Sequence, residues 1–109
     1  MTKLPFKIQE RKIYYGTDVG HNNTYMLKVP NYKEYKVFDG IKFISNSTNT
    51  GPSELRINDL EVVPIKKFIF HNLDKCDIIY NHEVYLVYMK DHFMLLDVTP
   101  QYDGLKKAA

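Results

Sequence analysis

The sequence predicts a mainly β fold. Tyr, Ile, Val, Phe and Thr are common, and these residues suit a half-buried pleated surface. Apolar segments of about four to eight residues alternate with turn residues, and no window shows a helical period. We expect a small antiparallel sheet, barrel-like or two-layer, or an α+β variant with one short helix. The expected strands cover 6–15, 24–29, 33–38, 41–45, 60–63, 66–70, 77–80, 84–90 and 93–98, and the expected helix covers 52–60.

The length and composition are those of one globular domain. The chain has 109 residues, of which 44% are hydrophobic and 26% are charged. We assign residues 1–98 to a single β-rich domain and 99–109, which open with Thr99-Pro100, to a C-terminal tail. The run at 45–53 consists of small or polar residues and contains Gly51-Pro52, so it is predicted to be a loop. It is too short for an interdomain linker.

A hairpin is predicted over residues 35–43. A three-residue loop at 38–40 sorts the apolar side chains onto one face, whereas a two-residue turn mixes lysines with apolar side chains on both faces. The favoured register places Gly40 at the left-handed position of the loop. It also places Lys36 and Lys42 side by side on the outer face of the hairpin.

The C-terminal third is predicted to be a three-stranded meander over 77–80, 84–90 and 93–98. The middle strand is apolar on both faces, whereas a sheet with one solvated face alternates apolar and polar residues. We therefore expect this strand to be central and covered on both sides by other strands, by a helix or by a partner chain. A homodimer that forms through residues 84–90 is one such arrangement.

The sequence contains no catalytic, metal-binding or cofactor-binding motif. The glycines of 16–20 do not have the spacing of a phosphate-binding loop or a dinucleotide fingerprint. His82 and His92 lie at opposite ends of one predicted strand, too far apart to share a metal ion. Cys76 lies between Asp74 and Asp77, which disfavour a reactive thiolate, and Lys75 opposes their effect. We therefore predict a protein that is not an enzyme and has no metal and no cofactor.

The sequence also predicts a cytoplasmic protein without a membrane anchor. The N-terminal residues 1–7 have no apolar run typical of a signal peptide, and no stretch approaches the length of a membrane span. The one cysteine cannot form an internal disulfide, which favours a reducing compartment.

Charge is distributed unevenly along the chain. Residues 1–45 contain eight basic and four acidic residues, whereas 46–109 contain seven basic and nine acidic residues. The basic part is also rich in tyrosine, and lysines with aromatic rings are typical of surfaces that track a phosphate backbone and stack on bases. The candidate binding residues are Lys28, Tyr32, Lys33, Tyr35, Lys36, Lys42, Asn46 and Asn49.

These observations favour a non-enzymatic binding protein that acts on another protein. The alternatives are a nucleic-acid-binding small β-barrel that uses the basic, Tyr-rich N-terminal half, and a nucleotide-binding or sequestering pocket. The composition, with thirteen Lys and two Arg, is that of an A/T-rich coding sequence such as a phage or low-G+C bacterial gene. For a phage protein, the expectation is an inhibitor of a host enzyme or defence complex in the host cytoplasm.

Overall fold

The computed structural model describes residues 12–68 and 70–96, which form nine strands and no helix, so the predicted mainly β class is confirmed. Residues 6–11 of the first predicted strand, residues 97–98 of the last one and the predicted tail at 99–109 lie outside the described residues. The strands are β1 (Ile13–Tyr15), β2 (Thr17–Asp18), β3 (Thr24–Lys28), β4 (Gly40–Ile44), β5 (Ser53–Ile57), β6 (Val63–Lys67), β7 (His71–Asn72), β8 (Glu83–Tyr88) and β9 (Phe93–Leu95).

The strands form one mixed sheet with the order β1-β4-β8-β9-β6-β5-β3-β2, and β7 pairs with β6 outside this path. The sheet is not wholly antiparallel as expected, since β1 with β4, β3 with β5, and β6 with β9 are parallel pairs. Strands β1 and β2 lie at the two ends of this order although only Gly16 separates them in the chain. The sheet therefore curls into a nearly closed, barrel-like shape.

Gly16 permits the close approach at this seam. A Cβ atom at this position would lie 2.9 Å from Cγ2 of Val29 and 3.2 Å from Cβ of Leu27. The Gly16 N–H also donates to the Lys42 carbonyl at 3.0 Å. Any larger residue would push the seam apart, since atoms in a packed interior have no room for an added methyl group.

The core lies inside the curled sheet, where the strands direct alternate side chains inward. In β5, for example, Leu55 and Ile57 are buried while Glu54 and Arg56 are only partly covered. Removal of apolar surface from water is the main stabilising contribution. The buried hydrophobic side chains include Tyr25, Leu27, Ile41, Phe43, Leu55, Ile57, Val63, Ile65, Leu73, Ile78, Val84, Leu86 and Phe93.

The predicted helix at 52–60 is wrong, because residues 53–57 form strand β5. The sequence Ser-Glu-Leu-Arg-Ile alternates with a period of two, and its burial pattern alternates in the same way. The Ser53 hydroxyl donates to the Gly51 carbonyl at 2.8 Å instead of capping a helix. Pairing with β3 and β6 thus outweighs the weak local helix signal.

The predicted hairpin at 35–43 is also wrong. Residues 33–38 form part of a loop, and β4 pairs with β1 and β8 rather than with its own upstream segment. Consequently Lys36 lies in the loop and Lys42 lies on a strand, so the two lysines are not cross-strand neighbours.

The left-handed residue of this segment is Phe38, with φ of 77°, and not Gly40. Gly40 is required for a different reason, since a Cβ atom there would lie 3.0 Å from Cε1 of Tyr85 and 3.2 Å from Cγ1 of Ile13. Gly40 is therefore needed because β1, β4 and β8 leave no room for a side chain, and not because it forms a turn.

The C-terminal meander is correct only for its last two strands. Residues 77–80 form no strand, and β8 pairs with β4 and β9. The predicted strands at 60–63 and 66–70 are replaced by the single strand β6. The β8 side chains Val84, Leu86, Val87 and Tyr88 are buried within the single chain, so the apolar character of this strand does not require a second copy.

Candidate functional site

The predicted binding lysines lie in two separate places. Lys28 and Lys42 belong to β3 and β4, where Lys28 is exposed and Lys42 is partly covered. Lys33 and Lys36 lie in the loop before β4 and border a shallow pocket of about 170 Å³ that also contains Asp39. The structure therefore does not bring the four lysines into one cluster.

Tyr32 belongs to the hydrophobic core, and Tyr35 is partly buried and packs against it. Tyr32 is only 6% exposed, and its hydroxyl donates to Asp39 Oδ2 at 2.7 Å. The Tyr35 hydroxyl donates to the Glu61 carbonyl at 2.6 Å and accepts from the Ile57 N–H at 3.1 Å. Burial raises the pKa of both phenols, and for Tyr32 the hydrogen bond to the carboxylate raises it further. Both side chains therefore remain neutral donors.

Asn49 is buried and structural, and Asn46 lies at the surface. The Asn49 side-chain amide donates to the carbonyls of Gly51 and Asp74, each at 2.8 Å. Its Oδ1 accepts from the Ile78 N–H at 2.8 Å, so the side chain links three backbone groups of the surrounding loops. Asn46 is exposed, and its backbone N–H donates to Asp18 Oδ2 at 2.8 Å.

The most unusual surface feature is the turn that joins β6 to β7. Phe68 is 59% exposed and Phe70 is 62% exposed, and we call these two residues the aromatic tip. Both have left-handed backbone conformations, with φ of 54° for Phe68 and 62° for Phe70. Such angles are uncommon for bulky residues, and backbone strain of this kind is concentrated at functional sites.

An ion-paired lysine ties the base of the tip to the next loop. Lys67 Nζ lies 2.7 Å from Asp74 Oδ2 and 2.8 Å from Asp77 Oδ2. Burial alone lowers the pKa of Lys67, but the hydrogen bonds and charges of the two carboxylates outweigh it, so the net shift is upward. The hydrogen bond from Lys67 in turn lowers the pKa of Asp74. The ammonium group also lies 5.5 Å from the centroid of the Phe68 ring.

Two histidines contact the rings of the tip. The Phe70 ring lies edge-on to His92 with 5.1 Å between centroids, and the Phe68 ring lies 6.2 Å from that of His71. His92 is buried, and its Nδ1 lies 2.6 Å from Asp91 Oδ1, an interaction that lowers the pKa of Asp91. The tip is therefore supported on both sides while the outer surfaces of both rings remain exposed.

The sequence pattern predicts a strand at 66–70, which includes the tip. The segment has no Gly, Pro, Asn or Asp, which are the residues that mark turns, so local turn chemistry gave no signal. The only available indication was the break in alternation, where three apolar residues in succession follow two lysines.

Across residues 12–68 and 70–96, no three His, Cys, Asp or Glu side chains are grouped so that they could hold a metal ion. The same residues contain no helix long and apolar enough to cross a membrane. No protein-family model matches the chain, and no curated protein sequence matches it significantly. Within the described residues, the aromatic tip brings two exposed rings and two left-handed backbone conformations together in one turn.

Proposed function

We propose that this chain is a non-enzymatic binding domain that docks on another protein through the aromatic tip. The observation that carries the proposal is the pair of phenylalanines, each more than half exposed and each held in a left-handed conformation. Aromatic side chains are enriched in protein interfaces, where a few buried rings contribute most of the binding free energy.

The cost of the tip supports this proposal. A bulky residue in the left-handed region costs on the order of 1–3 kcal/mol, and the exposed rings contribute little apolar burial to folding. Burial of both rings against a partner offsets this cost, since a single phenylalanine brings about 150–250 Å² of surface to an interface.

The tip is also preorganised for docking. The Lys67 ion pairs and the pairing of β6 with β7 tie its base to the rest of the sheet. A surface that is already ordered loses less conformational entropy on binding. For a chain of viral origin, the proposed partner is a host enzyme or a component of a defence complex.

The test compares a tip variant with a matched control in the same assay. Phe68→Ser/Phe70→Ser removes the tip, whereas Phe38→Ser removes a phenylalanine that is also exposed, at 57%, and also left-handed. A protein captured from lysate of the source cell with the wild-type chain is identified, purified and titrated by calorimetry against all three forms.

We expect the tip variant to bind the purified partner about 30-fold more weakly, as for an interface hot spot, and the Phe38→Ser form to bind as the wild type does. Equal affinity of the tip variant and the wild type would contradict the proposal. So would a failure of the wild-type chain to enrich any protein relative to the tip variant.

A further inference from the structure

A row of cationic and aromatic side chains crosses the outer face of the sheet at the barrel seam. We call it the basic–aromatic row. Thr17 of β2 lies opposite Lys28 of β3, and Tyr15, two residues before Thr17, lies opposite Lys42 of β4. Residues two apart on extended chain share a face, so the groups follow one another across neighbouring strands. The row consists of Lys28, Tyr15, Lys42 and Tyr85, together with Arg56 of β5, which pairs with Met26, two residues before Lys28 in β3.

The first half of the row borders an open groove of about 900 Å³, whose lining includes Tyr15, Lys28 and Arg56. The Arg56 guanidinium is only loosely held, because its Nη2 lies 3.9 Å from Oδ1 of the exposed Asp59. That distance is longer than a hydrogen bond. Its Nε is buried and has no hydrogen-bond acceptor among the described residues. Arg56 thus retains donor capacity that an anion at the groove would satisfy after a small rotation of the side chain.

The second half places a cation between two aromatic rings. Lys42 pairs with Tyr15 on one side and with Tyr85 on the other. Its Nζ lies 4.9 Å from the centroid of the Tyr85 ring, which is partly covered. Tyr15 is 64% exposed, so its ring is accessible to a planar ligand group.

We propose that the basic–aromatic row binds single-stranded nucleic acid. Lys28, Lys42 and Arg56 contact phosphates, and the exposed ring of Tyr15 stacks on a base. Strands lie about 4.8 Å apart, so the row extends over roughly 20 Å, enough for a few nucleotides. Charge complementarity supports this ligand, because the row contains three cations. The acidic side chains near it lie beside the row: Asp59 is next to Arg56, and Glu54 and Glu83 lie two residues before Arg56 and Tyr85 in their strands.

A single strand fits the row better than a duplex or an acidic protein. The bases of a duplex are stacked on one another, so a duplex offers phosphates to the lysines but no base to Tyr15. An acidic protein surface satisfies the cations, but it does not present flat rings in regular alternation with negative charges, as a single strand does. The row shares no residue with the aromatic tip, so this proposal and the protein-docking proposal stand independently.

The test measures fluorescence anisotropy of a labelled oligothymidylate of about 12 nucleotides, a length within the range that small barrels cover. For three phosphate contacts we expect log K against log salt to have a slope of about −2 when titrated upward from about 50 mM salt. Lys28→Glu/Lys42→Glu should reduce the magnitude of that slope to below about 1 and weaken binding about tenfold or more at low salt. Lys75→Glu/Lys90→Glu, which makes the same charge change at two exposed lysines outside the row, should retain most of the affinity.

Tyr15→Ala isolates the stacking contribution. We expect this variant to bind at least about fivefold more weakly with the salt slope unchanged, because a ring has been lost and no charge has changed. Thermal unfolding and circular dichroism of each variant confirm that the fold is retained. The Phe68→Ser/Phe70→Ser variant should bind the oligonucleotide as the wild type does, which separates this result from the fate of the docking proposal.

Four outcomes would overturn the inference. They are no binding by the wild type at low salt, equal affinity for a duplex of the same length, equal affinity for a polyglutamate peptide, and equal weakening by the two lysine double variants. The second outcome would indicate general attraction to phosphate, the third an acidic protein ligand, and the fourth an effect of net charge alone.

Discussion

Two groups of aromatic rings in this protein have opposite environments. Tyr32, Tyr35 and Tyr88 pack with Phe93 inside the barrel, where the Tyr35 ring stacks on Tyr88 at 5.0 Å and meets Phe93 edge-on at 5.5 Å. The phenylalanines of the aromatic tip point into solvent. In these two groups, the rings that carry a polar hydroxyl lie in or against the core, and two rings with no polar group are exposed.

Hydrogen bonding explains why these tyrosines are inside, and the position of the tip in the sheet explains why its rings are exposed. The Tyr32 and Tyr35 hydroxyls have acceptors in the Asp39 carboxylate and the Glu61 carbonyl, so their burial leaves no donor without a partner. The tip residues lie in the turn between β6 and β7, where His71 and His92 contact the rings at one side and more than half of each residue stays exposed. Ring type alone therefore does not predict burial in this chain.

The largest expected effect on stability comes from removal of the buried Tyr32 ring. Tyr32→Ala should lower the free energy of unfolding by about 3–5 kcal/mol, because it leaves a cavity in the aromatic core. Phe70→Ala should change it by less than about 0.5 kcal/mol, since the ring is exposed. Urea denaturation measures both values, and similar losses for the two variants would mean that the tip is part of the core.

A smaller effect is expected from loss of the hydroxyl alone. Tyr32→Phe keeps the ring but removes the donor to the buried Asp39 carboxylate, which should cost about 1–3 kcal/mol. Tyr15→Phe, at an exposed ring, is the control and should leave the denaturation midpoint unchanged. If Tyr32→Phe also leaves it unchanged, the hydrogen bond does not stabilise the core.

Relief of backbone strain at the tip should have an effect of the opposite sign. Asn tolerates the left-handed region better than Phe, so Phe68→Asn should leave the stability unchanged or raise it by up to about 1 kcal/mol. Phe38→Asn tests the same reasoning at a second left-handed phenylalanine. A loss of stability at Phe68 in thermal unfolding would show that its ring contributes to folding and would weaken the functional interpretation of the tip.

The smallest expected effect is acid loosening of the base of the tip. Lys67 holds the pKa of Asp74 below its usual value of 3.8. A carboxylate with a lowered pKa stabilises the folded state above pH 3.8 and loses this contribution as the pH falls through its folded pKa. Hydrogen exchange at Asn72 should therefore stay constant from neutral pH down to about 4, after correction for intrinsic rates, and rise below it. Asp74→Asn should weaken this acid dependence and Asp59→Asn should not.

The predicted site residues show which side-chain environments the local sequence can predict and which it cannot. Lys28 and Asn46 are exposed and Lys42 is partly covered, because charged and amide side chains are usually solvated. Asn49 and Tyr32 are buried because the fold supplies their partners, Asp74 and Ile78 for Asn49 and Asp39 for Tyr32. Nothing within a few residues of Asn49 indicates that a carbonyl 25 positions away will accept its hydrogen bond.

The sequence by itself determined the β class, because strand propensity and period-two alternation are local properties that any sheet-forming segment displays. Only the tertiary structure decided which segments pair, how the seam closes at Gly16 and that β5 is a strand. The parallel pairing of β3 with β5 joins segments about 30 residues apart, and its free energy depends on side chains that both strands bury together. For the same reason the basic–aromatic row emerges only from the assembled sheet, since it combines residues whose proximity the sheet alone creates.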